Sequence, residues 1–330
     1  MTRMGLTFPF LHHVPLAEYL DLAREMESRG YDTAWIGEAG GADALTPLTL
    51  VAAATSRLGI ASGVLPFQTR SPVLLGQSAA ALAHVAPGRV ALGLGVSSET
   101  IVGQWHGLPF QKPLAQLREA VTIIRAVLSG ERVTFEGEFY RVRNFRLLTP
   151  AASAPVRIYL AALGPRALEL AGEVADGVLL NWLAPDSVPS AMTHLRAGAA
   201  RAGRSLEGFE IAGYIRTCVT DTPGPARAHL ARDITGYAIV EAYARFFRQS
   251  GYEPEIDALN AAWRGGDRAG AVTQLSARVL DGLGVVGEEA FCRARVEEFA
   301  RAGLTMPVIV PFSPDSAPLP SLLRTLRALR

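Results

Sequence analysis

Strand-like and helix-like segments alternate along this chain until eight strands are counted, and that alternation limits the fold more than any single motif does. Met4 to Phe10 is the first predicted strand. Leu16 to Arg29 follows with Leu16, Leu20, Ala23 and Met26 at helical spacing, and Gly30 ends it. Thr33–Ile36, Leu58–Leu65, Arg89–Val96, Val156–Leu163, Gly177–Leu183, Phe209–Val219 and Met306–Phe312 read as the other strands. Helices are predicted over 45–56, 72–85, 114–128, 165–174, 188–202, 290–302 and 319–330. Right-handed crossovers to parallel neighbours can continue until a sheet meets its own edge, so the pattern predicts a (β/α)8 TIM barrel. A doubly wound open sheet is the competing fold, but no GxGxxG turn follows strand one, where Gly5 is isolated.

Two segments break the rhythm. VTFEGEFYRV, Val133 to Val142, alternates around a Glu-Gly turn and predicts an excursion hairpin outside the main sheet. Residues 223–284 look helical throughout, with no evident strand, and are read as a helical insertion near strand seven. Nothing marks a domain break, so residues 1–330 are read as one barrel domain. Hydrophobic residues make up 49% and charged residues 19%, ample for a large core and unlike a disordered chain. A formal charge of +1 without a basic run argues against nucleic acid or an anionic membrane surface as partner, which leaves small molecules. Cys218 and Cys292 lack metal-ligand spacing and read as reduced core residues. With no signal pattern and no apolar run of spanning length, a cytoplasmic protein is expected.

One strand end gathers polar groups. In RVALGLGVSSETIVGQWHG, Arg89 to Gly107, a small-residue apolar run gives way within two residues to Gly95, Val96, Ser97 and Ser98. Glu99, Gln104, Trp105 and His106 follow, adding a carboxylate, an amide, an indole and an imidazole. Ligands of parallel α/β folds bind at such strand ends. The alternative is a barrel strand whose glycines only relieve crowding, with a capped helix after it.

LGLGVSSETIVGQWHG with FQKPLAQLREAV after it, and then IYLAALGPRALELAGEVADGVLLN, resembles the luciferase-like flavin-dependent oxidoreductases. The likeness is strongest to the branch that uses the deazaflavin coenzyme F420, including relatives of methylenetetrahydromethanopterin reductase, and it covers nearly all of residues 4–312. It implies a (β/α)8 barrel, a homodimer and hydride transfer between coenzyme F420 and an organic substrate, with the protein working as a reductase. Two rivals stay open: an FMN-dependent monooxygenase on the same fold, and a non-catalytic coenzyme-binding protein. The family's bulge with a non-prolyl cis peptide corresponds to Ser62, Gly63 and Val64 in SGVLPF, with the cis bond at Gly63–Val64. The coenzyme's phosphate is implied near Leu163, Gly164, Pro165 and Arg166, where a strand end meets a helix start and free N–H groups suit an anion. Asn181, ending strand six, is either a coenzyme contact or a loop cap. Glu38 corresponds to an acid that approaches the deazaflavin in some relatives, as an anchor or a proton relay.

Sugar-phosphate dehydrogenases of the family carry a histidine directly after that acid, where this chain has Ala39, so glucose 6-phosphate oxidation is not expected. Proton transfer then falls to Glu99, His106, His12, His13 or solvent, with Glu99 and His106 preferred because both lie just past strand four. Tyr243 and Phe246 in the insertion are read either as a substrate-side wall or as an outer or dimer face.

Overall fold

The computed structural model describes residues 3–9, 14–150, 154–315 and 318–330. Parallel pairing runs in chain order around a closed ring. It begins with β1 (Gly5–Thr7), β2 (Thr33–Ile36) and β3 (Gly59–Ser62), which resumes after a break as β4 (Leu65–Pro66), and continues with β5 (Val90–Gly95). The chain then leaves the ring for an antiparallel hairpin, β6 (Arg132–Glu136) and β7 (Arg141–Arg146). It returns as β8 (Arg157–Ala161), β9 (Gly177–Leu180) and β10 (Glu210–Val219). After β11 (Gly284–Gly287), which stays outside, β12 (Met306–Pro311) pairs with both β10 and β1 and closes the barrel. With β3 and β4 counted as one interrupted strand, the ring has the eight predicted members.

Helices cover the outer face: α1 (Leu16–Ser28), α2 (Leu45–Ala54), α3 (Pro72–Val85), α4 (Pro113–Leu128), α5 (Pro165–Val174) and α6 (Val188–Arg201). Strands covered on both faces carry no polar alternation, which is why β2 (TAWI) and β9 (GVLL) are buried at every position. Helix ends follow local chemistry. Gly30 at φ 79° and Gly130 at φ 77° accept the left-handed backbone that stops α1 and α4, and the Ser71 hydroxyl accepts the Leu74 N–H at the start of α3, with Pro72 in its first turn.

The insertion is α7 (Pro223–Ala238), α8 (Glu241–Phe247), α9 (Glu253–Arg264), α10 (Arg268–Thr273) and α11 (Ala277–Leu283). Its helices share an apolar core around Leu230, Ile234, Phe247, Ile256 and Val279, joined to the barrel through Trp182 and Cys218. The expectation of no strand up to Gly284 needs correction at its edge. Gly284–Gly287 pairs parallel with the overhanging end of β10, from Arg216↔Gly284 to Val219↔Gly287. GVVG is too short to be told from a helical run by its own pattern, and only the extra length of β10 gives it a partner. The last two helices are α12 (Glu289–Arg301) and α13 (Leu319–Leu329).

Inside the barrel, Trp35 stacks on Tyr159 with centroids 5.7 Å apart and meets Tyr214 edge-on at 6.4 Å. At the N-terminal end the buried Glu210 carboxylate accepts from Tyr159 Oη at 3.0 Å, from Arg157 at 3.4 Å and from Arg3. That end is sealed by structure, and the open chemistry lies at the other.

Candidate active site at the barrel mouth

Pairing between β3 and β5 stops at Ala61↔Ala91, and β4 takes it up again at Leu65↔Leu94. Ser62, Gly63 and Val64 thus face only Leu92 and Gly93, a bulge of one extra residue. The Gly63–Val64 peptide is cis. Side chains replace the missing ladder. The fully buried Ser62 hydroxyl accepts the Gly93 N–H at 2.8 Å and donates to the Gly93 carbonyl at 2.9 Å. From across the barrel Tyr214 Oη donates to the Gly63 carbonyl at 2.6 Å, and burial pushes that phenol well above its ordinary value, so it stays a donor. Glycines wall the bulge: a Cβ on Gly37 would lie 2.8 Å from the Gly63 oxygen, and one on Gly95 2.6 Å from Val64 Cγ2. The result is a backbone floor with half-exposed Gly63 and Val64 at its surface.

Glu38 stands beside this floor, its N–H bonded to the Val64 carbonyl at 3.2 Å. Its carboxylate is engaged twice over, in a two-pronged pair with Arg70 at 2.6 and 2.8 Å and with the Ala44 N–H at 3.0 Å. It therefore holds the β2–α2 loop against the segment after β4. Beyond β5, the Val96 carbonyl accepts from Gln68 Nε2 at 2.9 Å, while Gln68 Oε1 is buried without a partner among the described residues. Ser97 takes a left-handed φ of 56°, and the Ser98 hydroxyl accepts the Ile101 N–H at 3.3 Å. A π-helical turn, Thr100–Trp105, follows, a geometry frequent at functional sites. Glu99 and His106 bracket it, both exposed, and the Glu99 carboxylate accepts from Gln104 at 3.1 Å. Trp105 is 59% exposed and leans over the loop at Gly40. His12 and His13 lie outside the described residues.

After β8 the chain turns through Leu163 and Gly164 into α5, which begins at Pro165 without a side-chain cap. Among the described residues nothing lies within 4 Å of a Cβ built on Gly164, and Arg166 is exposed two positions on. Ala167 and Leu168 already donate to the Gly164 carbonyl at 3.1 Å and Pro165 has no N–H, so the Arg166 N–H and the open space beside Gly164 are what can take an anion. A cavity of about 410 Å³ adjoins this turn, lined by Leu163, Pro165, Asn181, His194 and Phe246 among others. Asn181 does not cap a loop. Its Oδ1 accepts from Arg216 at 2.6 Å and its Nδ2 donates to Tyr243 Oη at 3.2 Å.

Sequence reasoning passed over Tyr214, Arg216 and Gln68. The signal was present in IAGYIRTCV, where alternate positions of a buried strand bring Tyr214 and Arg216 to the same face as Ala212. Among the described residues no three His, Cys, Asp or Glu side chains gather as metal ligands. The mouth thus offers a flat backbone floor, an anion-receptive helix start and an aromatic wall carrying one buried guanidinium.

Residues 4–306 match the sequence profile described as luciferase-like monooxygenase. The chain belongs to that family. A Mycobacterium tuberculosis protein described as a coenzyme F420-dependent oxidoreductase is 31% identical over 93% of this chain and 94% of its own length. The 5,10-methylenetetrahydromethanopterin reductase of Archaeoglobus fulgidus is 29% identical over 95% of each. The fold matches the coenzyme F420-dependent tetrahydromethanopterin reductase of Methanopyrus kandleri with a TM-score of 0.83, at 22% identity over 99% of this chain and 97% of that one. The luciferase-like membership agrees with the barrel expected from the strand count. Among the described residues no helix is long and apolar enough to cross a membrane.

Proposed function

We propose that this luciferase-like protein is a coenzyme F420-dependent oxidoreductase that passes a hydride between the deazaflavin and a small organic substrate, working as a reductase. The observation that carries the reading is the glycine-walled floor at Ser62–Val64 sharing one barrel end with the uncapped start of α5. A planar ring fits the first and a phosphate the second. The full-length relatives described as F420-dependent support the choice of coenzyme. When bound, the deazaflavin supplies the ring carbon that carries hydride.

Gly63 and Val64 would support the ring from below, held level by Ser62 and Tyr214. Gly95 to Ser98 would border it, and Leu163, Gly164, Pro165 and Arg166 would receive the phosphate. Glu38, tied to Arg70, fixes the loop over the floor, while Glu99 and His106 stand at the solvent rim, where protons exchange with water. A ring seated on Gly63 and Val64 would exclude water from the face it covers. FMN in place of F420, with oxygen as co-substrate, is the second reading, favoured by the monooxygenases of the same family; oxygen consumption with reduced cofactor separates the two.

The test is a fluorescence titration of apo-protein with F420 and, separately, FMN, repeated with Gly164→Asp. Gly164 sits at φ −100°, ψ 168° with no neighbour near its Cβ, so aspartate enters without strain and caps α5. Expected are preference for F420, a loss of about tenfold or more in the variant from charge repulsion at the phosphate, and an unchanged or higher melting temperature. Preference for FMN, or binding of neither, overturns the assignment.

A further inference from the structure

Arg216 is 7% exposed and lies in the barrel mouth, one inward step beyond the Tyr214 that holds the floor. Its guanidinium sits 3.4 Å over the Trp182 ring and 5.6 Å from that of Tyr237, and Nη1 donates to Asn181 Oδ1. Those are all of its partners among the described residues, and none is a carboxylate. The acid that bears on it, Asp233, belongs instead to a pair with His229 at 3.8 Å. A buried cation without a counter-charge is costly, and the stacking and one amide repay only part of that cost. Burial accordingly depresses the Arg216 pKa.

The remaining donors are not sealed away. Buried side-chain atoms lacking any partner include Trp35 Nε1 and Trp182 Nε1 but no nitrogen of Arg216, although Nε and Nη2 have no acceptor among the described residues. Among the described residues nothing accepts from that edge of the guanidinium, and its neighbour Asn181 lines the cavity beside α5. Two parallel N–H groups on one edge match the two oxygens of a carboxylate. Tyr243 Oη, accepting from Asn181, keeps its own proton to give, and burial raises its pKa to about 12. The rings of Trp182, Tyr237 and Tyr243 pack against one another beside the guanidinium.

We propose that Arg216, oriented by Asn181 and flanked by Tyr243, is the specificity residue for the substrate, and that the substrate is a carboxylate with a flat, unsaturated or aromatic body. The proposal rests on the reading above in taking this mouth as the substrate side of a coenzyme pocket. Phosphate is the less suitable occupant, because the start of α5 already serves that chemistry and the walls at Arg216 are aromatic.

The test uses the full chain and three probes, benzoate, benzamide and inorganic phosphate, followed by calorimetry with F420 absent and present. The wild type should bind benzoate at least about tenfold more tightly than benzamide or phosphate. Arg216→Met, close in volume but uncharged, should lose benzoate by a similar factor while holding F420 within about threefold, and its melting temperature should not fall. Asn181→Asp, which supplies an internal counter-charge, should also lose benzoate. Equal binding of benzoate and benzamide, phosphate bound as well as benzoate, or benzoate retained by Arg216→Met would each overturn the proposal. So would loss of F420 in Arg216→Met, which would assign the guanidinium to the coenzyme. A wild type that binds benzoate through Arg216 but not F420 would leave this inference standing and remove the coenzyme assignment alone.

Discussion

Ser62 shows how a single hydroxyl can stand in for a strand. The bulge leaves the N–H and C=O of Gly93 without ladder partners inside a closed barrel, and the Ser62 side chain satisfies both. Ser62→Ala leaves a buried donor and acceptor empty and should cost about 2 kcal/mol of stability. F420 affinity should fall with it, since the floor loses its support. An unchanged denaturation midpoint would show that Gly93 finds other partners. Ser62, Gly63 and Val64 were legible because family likeness fell on a short, glycine-marked stretch. Arg216 was not, because a strand that reads IAGYIRTCV gives alternation but not direction. Only ring closure between β9 and β12 shows that Tyr214 and Arg216 point into the mouth. Glu38 was legible as a position but not as a bond, since Arg70 lies a strand and a helix away in the chain.

Elements with their own stop signals were readable to the residue. Pro72–Val85 and Pro165–Val174 begin at prolines suited to a first helical turn, and both match the prediction at each end. The hairpin β6–β7 was also readable from its alternation, but what holds it was not. Glu119 on α4 accepts the N–H groups of Glu138, Phe139 and Tyr140 at 2.7, 3.0 and 3.1 Å, so one carboxylate pins the turn to the barrel's outer layer. The strands add an apolar contact in which Val133, Phe135, Tyr140, Val142 and Phe145 pack with Ala80, Ile123 and Val127, and Lys112 pairs with Glu138 at the turn. Glu119→Ala should loosen the turn first, with hydrogen exchange at 138–140 faster by about tenfold or more and the global melting temperature nearly unchanged. Equal exchange in the two proteins would assign the docking to the apolar contact.

At the scale of the whole molecule, the closing seam between β1 and β12 is spanned by side chains from the two ends of the chain. Tyr31 Oη donates to the Leu326 carbonyl at 2.8 Å, and Arg327 makes a two-pronged pair with Glu25 at 2.7 and 3.0 Å. No local pattern announces such a clasp, because neither partner knows the other until the barrel has closed. Arg327, with help from Arg29, holds the Glu25 carboxyl below its ordinary range. Burial pushes its neighbour Glu27 up, but the N–H groups of Arg57, Leu58 and Ser56 outweigh that and leave it lowered as well. A carboxyl depressed in the folded state adds stability above its unfolded pKa, and the contribution disappears as pH falls through the folded value. The seam is thus tightest at neutral pH and loosens in acid. Because Arg327 is half exposed, salt and solvent screen the pair, and Glu25→Gln should lower the melting temperature at pH 7 by only about 1–2 °C. As pH falls below the ordinary glutamate value and on through the lowered folded value, the wild-type carboxyl loses its charge, and the gap between wild type and variant should shrink toward zero. Melting curves of both proteins across that range decide it: a gap that keeps its size in acid would mean that Glu25 clasps the seam by packing rather than by charge.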